Sequence, residues 1–358
     1  MRCGVQHQYT TGPLGPDAST RVERVPGARD IARLFQEPAS SGRGALTVEG
    51  GITVVGAPGM GVTTLLARLS DLLERERAMP VARIELPVQG GDGGPDAFYR
   101  FLGALVDQAR AGLLLSPRLR APDGGALAAA LADEPPWEGD EPAITPRGLE
   151  RWIAQLAPGA RRTGGVCLLV DGIDHAAATS WKAALVAALR FTFQSSVGVT
   201  PVYGAWSLFL DESLPGSNYF RNVTRPLFLS PLSPRERHAL VDAGLPALSP
   251  AARARLDALV GGHPRLWHSA LSAIAGALGS PEEAAALAEA DVDALLERTL
   301  ADDRAFVAAM LRAAPALAPR LRALRSTPGK ASRALLASGL VDERDGVAVV
   351  PARIAALL

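Results

Sequence analysis

The sequence predicts an α/β fold built on a parallel sheet, and three observations lead to that prediction. Strand and helix signals alternate along residues 25–232, as they do when helices cover both faces of a parallel sheet. A glycine-rich segment joins an apolar strand to an amphipathic helix, and a second apolar strand ends in an aspartate. A chain of 358 residues is long enough for two or three domains.

The glycine-rich segment reads Gly56-Ala57-Pro58-Gly59-Met60-Gly61-Val62-Thr63-Thr64. It matches the phosphate-binding P-loop pattern G-x-x-x-x-G-K-[S/T], except that Val62 stands at the lysine position. An apolar run precedes it, and leucines at helical spacing follow it. Strand, loop and helix in this order point backbone N–H groups at a phosphate. The nucleotide-binding residues predicted here are Gly56, Pro58, Gly59, Gly61, Val62, Thr63 and Thr64.

The strand that ends in aspartate, residues 166–171, has the Walker B form. Its Asp171 and the P-loop hydroxyl of Thr63 predict a Mg2+ site. Related ATPases usually continue with an acidic residue that orients the attacking water, and this chain has Gly172 there. Asp174 is a weak catalytic candidate to replace that acid, although capping the following helix is the commoner role. Two features needed for hydrolysis are therefore missing, whereas the pair that faces Mg2+ is present.

With these motifs the chain resembles the P-loop ATPases of the STAND and ORC/Cdc6-like AAA+ groups, over roughly residues 20–358. Segment 25–31 resembles the motif that precedes the P-loop in those proteins, and segment 200–205 resembles their sensor 1 strand. Segment 226–236 resembles the strand, turn and helix that open their lid. These segments occur in the expected order. The resemblance implies that the cofactor is ATP or ADP with Mg2+.

Two further site residues come from the same resemblance. Arg221, in the loop 216–221, resembles an arginine that reaches a γ-phosphate, often across a subunit boundary, and it is a second weak catalytic candidate. Pro264, at the end of Gly261-Gly262-His263-Pro264, resembles the proline that packs on adenine in the STAND group.

The predicted organisation has four parts. Residues 1–24 form a flexible arm, and residues 25–232 form a P-loop NTPase core. Within the core, residues 121–147 are rich in proline, glycine and acidic side chains, which predicts a mobile loop. Residues 233–290 have helical patterns, as a lid would. Residues 291–358 end in a winged-helix-like domain.

The C-terminal part combines helical patterns with a hairpin signal, Asp345-Gly346, between two β-prone runs, which together describe a winged helix. Residues 304–341 contain seven basic side chains and no acidic one. A helix-turn-helix places its recognition helix in the DNA major groove, and other arginines meet phosphates. Alternatively, the domain is an internal packing module whose arginines are solvated or bind an acidic partner. The nucleic-acid candidates are Arg320, Arg322, Arg325, Lys330 and Arg333.

The composition is that of a protein of the cytoplasm. The net charge is zero, 48% of the residues are hydrophobic, and no run is long enough to cross a membrane. Two cysteines, Cys3 and Cys167, make no disulfide framework, and no cluster suggests zinc or haem. Lysine is almost absent while arginine is abundant, as in a high-GC genome, so we expect a bacterial protein.

Three functions remain open from the sequence. The eroded P-loop favours a pseudo-ATPase subunit that binds ATP or ADP weakly or not at all and acts as a scaffold or nucleotide-responsive switch. It would have protein partners in a larger complex or form a homo-oligomer. The basic C-terminal part suggests a DNA-binding AAA+ adaptor of the ORC/Cdc6 or transposition-regulator type. The third function is an active ATPase completed by a residue from a partner chain.

Overall fold

The computed structural model describes residues 27–35, 50–86, 94–137, 143–194, 196–214, 218–327 and 329–358. Several predicted features lie outside the described residues: the arm 1–24, residues 25 and 26 of the motif ahead of the P-loop, residues 138–142, and Gly216 and Ser217 of the arginine loop.

The described chain divides into two compact units. The first, called here the C-terminal unit, contains Gly56–Thr64 together with Phe228–Leu358. The second, called the sheet unit, contains Pro26–Val55 and Leu65–Leu227. The P-loop thus belongs with the C-terminal part of the chain, whereas the strand before it belongs to the sheet unit.

A five-stranded sheet with the order β2-β3-β4-β1-β5 organises the sheet unit. The pairs β1–β4, β2–β3 and β3–β4 are parallel. Nearly every residue of β1, β3 and β4 is buried, as expected for apolar strands covered on both faces. The predicted strands around the P-loop and Walker B motifs are confirmed. The strands are β1 Ile52–Val55, β2 Val81–Glu85, β3 Val166–Asp171, β4 Val199–Gly204 and β5 Arg225–Phe228.

Eight α-helices accompany the sheet in the described residues, and the second of them starts inside the P-loop segment. Residues of α3 to α8 and of strands β2, β3 and β4 build one continuous core, which includes Phe101, Trp152, Leu168 and Tyr203. The helices are α1 Ala28–Leu34, α2 Val62–Glu76, α3 Gly94–Leu115, α4 Gly125–Ala132, α5 Pro146–Arg162, α6 Lys182–Gln194, α7 Ser207–Leu210 and α8 Tyr219–Asn222.

Helix α4 lies inside the range 121–147, where the sequence predicts a mobile loop. Leu127 and Leu131, one helical turn apart, are fully buried in the core of the sheet unit. A β-carbon built at Gly159 of α5 would lie 2.6 Å from the backbone of Leu127, so the two helices pack closely. The loop interpretation is wrong for Gly125–Ala132, because burial of these leucines outweighs the turn-forming residues around them.

The C-terminal unit is mainly helical in the part that the structure describes. Its first four helices each begin with a proline directly after the capping residue, where the missing N–H has no partner to lose. Among all described helices, none combines the length and apolar character that a membrane span requires. The helices are α9 Pro234–Gly244, α10 Pro250–Val260, α11 Pro264–Ala277, α12 Pro281–Ala286, α13 Glu289–Glu297, α14 Leu300–Ala313, α15 Leu317–Ser326, α16 Arg333–Leu336 and α17 Ala352–Leu357.

The predicted C-terminal hairpin is confirmed. Strands β6 (Asp342–Arg344) and β7 (Val347–Val349) pair in antiparallel fashion. Asp345 and Gly346 connect them with φ angles of 53° and 75°, so both residues are left-handed. Two left-handed residues are what a tight two-residue hairpin turn requires, and Asp-Gly tolerates them well.

Two buried arginines tie the C-terminal unit together. The Arg237 guanidinium lies 2.9 Å from an oxygen of Asp257 and donates to Asp342 at 3.0 Å, which fixes the hairpin to α9 and α10. The Arg353 guanidinium donates to Asp303 at 2.6 Å, which fixes α17 to α14. Losing one partner of such a pair is strongly destabilising, because it leaves an uncompensated charge in the interior.

Candidate nucleotide-binding site

The P-loop keeps the backbone geometry that a phosphate loop needs. Gly59 and Gly61 have φ angles of 78° and 92°, a region that other L-residues avoid. The Met60 amide donates to the Ala57 carbonyl at 3.0 Å, which closes a tight turn before α2 begins at Val62. The loop therefore passes directly from a strand into a helix N-terminus, the arrangement that binds phosphate elsewhere.

The first turn of α2 lacks the lysine of the P-loop pattern. Val62, Thr63 and Thr64 are half-buried, and no acidic residue lies in this turn. No acidic side chain of this turn therefore offsets the partial positive charge of the helix N-terminus. A branched apolar side chain at position 62 donates no hydrogen bond, so the backbone and the two threonine hydroxyls carry the remaining polar character of this turn.

The stem of a basic residue that sequence analysis missed contacts the P-loop. A β-carbon built at Gly59 would approach the Cβ of Arg265 to 2.8 Å and the imidazole of His263 to 3.0 Å. The Arg265 guanidinium carbon stands 4.1 Å from the centre of the Phe306 ring, a cation–π contact that orients the side chain. Arg265 follows Pro264, so the signal was present: a basic residue in the first turn of a helix already assigned to the nucleotide.

Pro264 begins the helix whose neighbouring residues His263 and Arg265 contact the P-loop. It is the first residue of α11, directly after His263, which is fully buried. His263 packs edge-on against Phe306 with ring centres 5.3 Å apart. The turn that contains Pro264 is thus held in contact with Gly59 by packing, and its contact with adenine stays a prediction.

The predicted Mg2+ pair is divided between the two units. Thr63 lies at the start of α2 in the C-terminal unit, and Asp171 ends β3 in the sheet unit. Asp171 is half-buried, and one of its carboxylate oxygens accepts a hydrogen bond from the Gly172 amide at 2.9 Å. Within the described residues, no group of three histidine, cysteine or acidic side chains comes together as a metal site. The joint binding of Mg2+ by Thr63 and Asp171 stays a prediction.

Gly172, directly after Asp171, has a backbone conformation that glycine adopts most readily. Its φ angle is 77°, in the left-handed region. A β-carbon built there would lie 2.7 Å from the Leu86 carbonyl oxygen and 3.1 Å from the His175 ring. An acidic side chain at this position would therefore have to accept a left-handed φ angle and displace a neighbour.

The carboxylate of Asp174 is already engaged by the main chain. One oxygen accepts from the amides of Trp206 at 2.7 Å and Ser207 at 3.1 Å, and the other accepts from Leu208 at 2.9 Å. Burial raises the pKa of Asp174, and these amide hydrogen bonds act in the opposite direction. Asp174 thus caps the start of α7, which follows β4, rather than the helical turn that follows it in sequence.

Arg221 lies on α8, a single turn whose Tyr219 and Phe220 are buried. The arginine itself is exposed. Exposure leaves it accessible to a second chain, and its approach to a γ-phosphate stays a prediction.

The basic candidates of the C-terminal unit are all exposed. Arg320, Arg322 and Arg325 lie on α15, whereas Lys330 and Arg333 lie before and on α16. Helix α16 has only four residues, and residues 337–341 after it are buried. One helical turn offers a short recognition surface for a DNA groove, and three of the five candidates lie on α15.

Comparison with known proteins agrees on the fold. No family model matches the chain, and no curated protein matches it. Among solved structures, a Walker-type ATPase of Pyrococcus abyssi matches with a TM-score of 0.60 at 12% identity, over 98% of this chain and 99% of that one. The ORC2 protein of Aeropyrum pernix matches with a TM-score of 0.49 at 15% identity, over 98% of this chain and 96% of that one. The first match shows that the chain has the fold of a P-loop NTPase, with an α/β core on a parallel sheet.

Proposed function

We propose that the protein is a nucleotide-responsive pseudo-ATPase: it binds ATP or ADP with Mg2+ weakly, does not turn ATP over, and acts as a switch or scaffold in a larger assembly. The P-loop residues Gly56–Thr64 hold the phosphates, Thr63 and Asp171 hold Mg2+, and Pro264 meets the adenine. In this proposal residues 233–290 are the lid and residues 291–358 a winged-helix-like domain.

The geometry at Gly172 carries the proposal. The residue that should orient the attacking water is a glycine in a left-handed conformation, and its backbone approaches Leu86 too closely for a side chain. The next acid, Asp174, is engaged by three main-chain amides. Neither position supplies a free carboxylate, and orienting the nucleophile is one of the parts that phosphoryl transfer needs.

Binding is supported on a different basis. Phosphate binding at a P-loop rests largely on backbone N–H groups, and those survive the change at Val62. A charge-assisted hydrogen bond contributes roughly 1.5–3 kcal/mol, so loss of the lysine weakens ATP by ~10–150-fold. We expect Arg265, whose stem contacts Gly59, to offset part of that loss.

A titration with ATP and ADP plus Mg2+, with Val62→Lys in parallel, tests the binding half of the proposal. We expect wild-type binding at sub-millimolar concentration, and about tenfold tighter ATP binding by Val62→Lys because it regains a charge-assisted hydrogen bond. If neither protein binds, the P-loop has only a structural role.

An ATPase assay on the same preparation tests the other half. Turnover by the wild-type protein that disappears in Asp171→Ala would overturn the pseudo-ATPase proposal. Turnover that appears only after a partner is added would favour the ATPase completed by a second chain.

DNA binding is the second candidate, and the exposed arginines of α15 support it. Phosphate contacts by arginine give sequence-independent, salt-dependent binding. Replacing Arg320, Arg322 and Arg325 with alanine should weaken binding to duplex DNA at low salt by at least about tenfold. The matched control replaces three exposed arginines of α5 (Arg151, Arg161 and Arg162). Equal loss in both triple variants would count against a specific DNA-binding surface on α15.

A further inference from the structure

One half of the P-loop is held by the C-terminal end of its own unit. The Ala57 amide donates to the Ala337 carbonyl at 3.0 Å. The Met60 side chain is fully buried, and a β-carbon built at Gly339 would overlap its sulfur. Gly339 also has a φ angle of 68°. Because Gly339 has a left-handed backbone and no side chain, the turn after α16 leaves room for Met60 of the P-loop.

The same buried cluster includes His263. A β-carbon at Gly339 would lie 2.8 Å from the His263 ring, and a β-carbon at Gly59 would lie 3.0 Å from it. His263 thus touches both the P-loop and the turn after α16. The three segments meet in one packed contact, so displacement of one removes packing from the others.

The other half of the P-loop is free of this contact. A β-carbon built at Gly61 would have no atom within 4 Å. Thr63 and Thr64, in the first turn of α2, are half-buried. The contact with Ala337 and Gly339 therefore fixes the first part of the loop and leaves its helix-side part accessible.

We propose that the segment Ala337–Gly339, which we call the latch, holds the P-loop in its phosphate-binding shape. Opening the latch lowers nucleotide affinity, because the loop must then be ordered at the moment of binding. Bound nucleotide in turn stabilises the latch by the same free energy, since coupling between two sites is reciprocal. The nucleotide part of this inference rests on the proposed function, whereas the mechanical coupling of latch and loop does not.

Hydrogen exchange on two glycine variants, measured without nucleotide, tests the mechanical coupling. Gly339→Ala places a methyl group against Met60 and His263. Gly346→Ala is the matched control, because it has a similar φ angle of 75° in the same part of the chain but an open site with no atom within 4 Å. We expect exchange at the amides of Gly56–Thr64 to accelerate at least about tenfold in Gly339→Ala and to change little in the control.

Equal exchange at the P-loop in the two variants would overturn the latch. If Gly339→Ala does not fold, Met60→Ala removes the buried side chain from the other partner. It should accelerate exchange at Ala337–Gly339, and unchanged exchange there would likewise overturn the proposal.

Titration with ADP and Mg2+ then tests the reciprocal coupling. Gly339→Ala should bind ADP about tenfold more weakly than Gly346→Ala, and ADP should slow exchange at Ala337–Gly339 in the wild-type protein. If the wild-type protein binds ADP and both variants bind it with equal affinity, this coupling is overturned. If the wild-type protein binds no ADP, the proposed function fails, and the nucleotide-free exchange result alone decides on the latch.

Discussion

In the proposed function, the P-loop and the carboxyl end of β3 depart from the ATPase pattern in different ways. At the P-loop a single side chain has changed, Val62 for lysine, while Gly59 and Gly61 keep the left-handed conformations of the loop. At the end of β3, Gly172 stands where the pattern has an acid. Its φ angle is left-handed, a β-carbon there would clash with the Leu86 carbonyl oxygen, and the neighbouring carboxylate of Asp174 caps α7.

These two kinds of change affect nucleotide binding and ATP hydrolysis differently. In this proposal a change in one side chain leaves the backbone donors of the P-loop in place, and we expect the phosphate affinity to fall without vanishing. A change in backbone conformation cannot be reversed by one substitution. The two regions therefore predict a protein whose nucleotide affinity is easily restored and whose hydrolysis is not.

The largest expected effect comes from placing an acid at position 172, which tests whether the end of β3 differs from the P-loop as argued. Gly172→Glu should lower the free energy of unfolding by about 4 kcal/mol, because it adds a left-handed φ penalty and a clash with the Leu86 carbonyl. We expect no ATP hydrolysis from this variant. Urea unfolding and an ATPase assay measure the two effects. Wild-type stability together with turnover would show that the β3 end is as easily repaired as the P-loop.

The second test concerns the other acid at the same end of β3. Asp174→Ala removes the acceptor of three amides at the start of α7, and we expect a loss of roughly 3 kcal/mol in the free energy of unfolding. Asp174→Asn keeps one carbonyl oxygen and should lose clearly less. Urea unfolding of both variants measures this difference. An alanine variant as stable as the wild type would leave Asp174 available for another role.

Sequence alone predicted the parts of this comparison that depend on neighbours in the chain. The strand, loop and helix around Gly56–Thr64 were predictable because apolar period and glycine spacing are local signals. The capping of α7 by Asp174 was not, since its partners lie more than thirty residues away. The contact of Arg265 with Gly59 joins residues far apart in the chain, and the sequence marked it only indirectly, by a basic residue in the first turn of the helix that Pro264 begins. Helix α4 was missed because the proline and acidic residues around it masked two leucines at helical spacing.

The cation near the P-loop provides the third test. Arg265→Ala should weaken ATP and ADP binding about tenfold, the value of one charge-assisted hydrogen bond, with less than about 1 kcal/mol lost from the stacking on Phe306. Arg235→Ala is a matched control, because Arg235 also follows the first proline of its helix, α9, and is exposed. Calorimetric titration measures the affinities. Equal binding by the two variants would mean that the P-loop backbone binds the phosphates without help from Arg265.

The smallest expected effect is a pH dependence of stability that arises in α11, the helix that supports the P-loop. His268 lies on α11, one turn after the residues that contact the loop, and burial lowers its pKa to about 4. The folded protein keeps this imidazole neutral, while the unfolded chain binds a proton below about pH 6.5. Stability should therefore fall as the pH drops from about 6.5 towards 4, by about 1 kcal/mol at pH 5.5, and His268 should contribute no slope above pH 7.

His268→Gln should remove this part of the slope in urea unfolding, and His238→Gln, at an exposed position on α9, should retain it. Identical slopes in the two variants would mean that acid does not loosen α11 through His268, and that the P-loop support is no more sensitive to pH than the rest of the molecule.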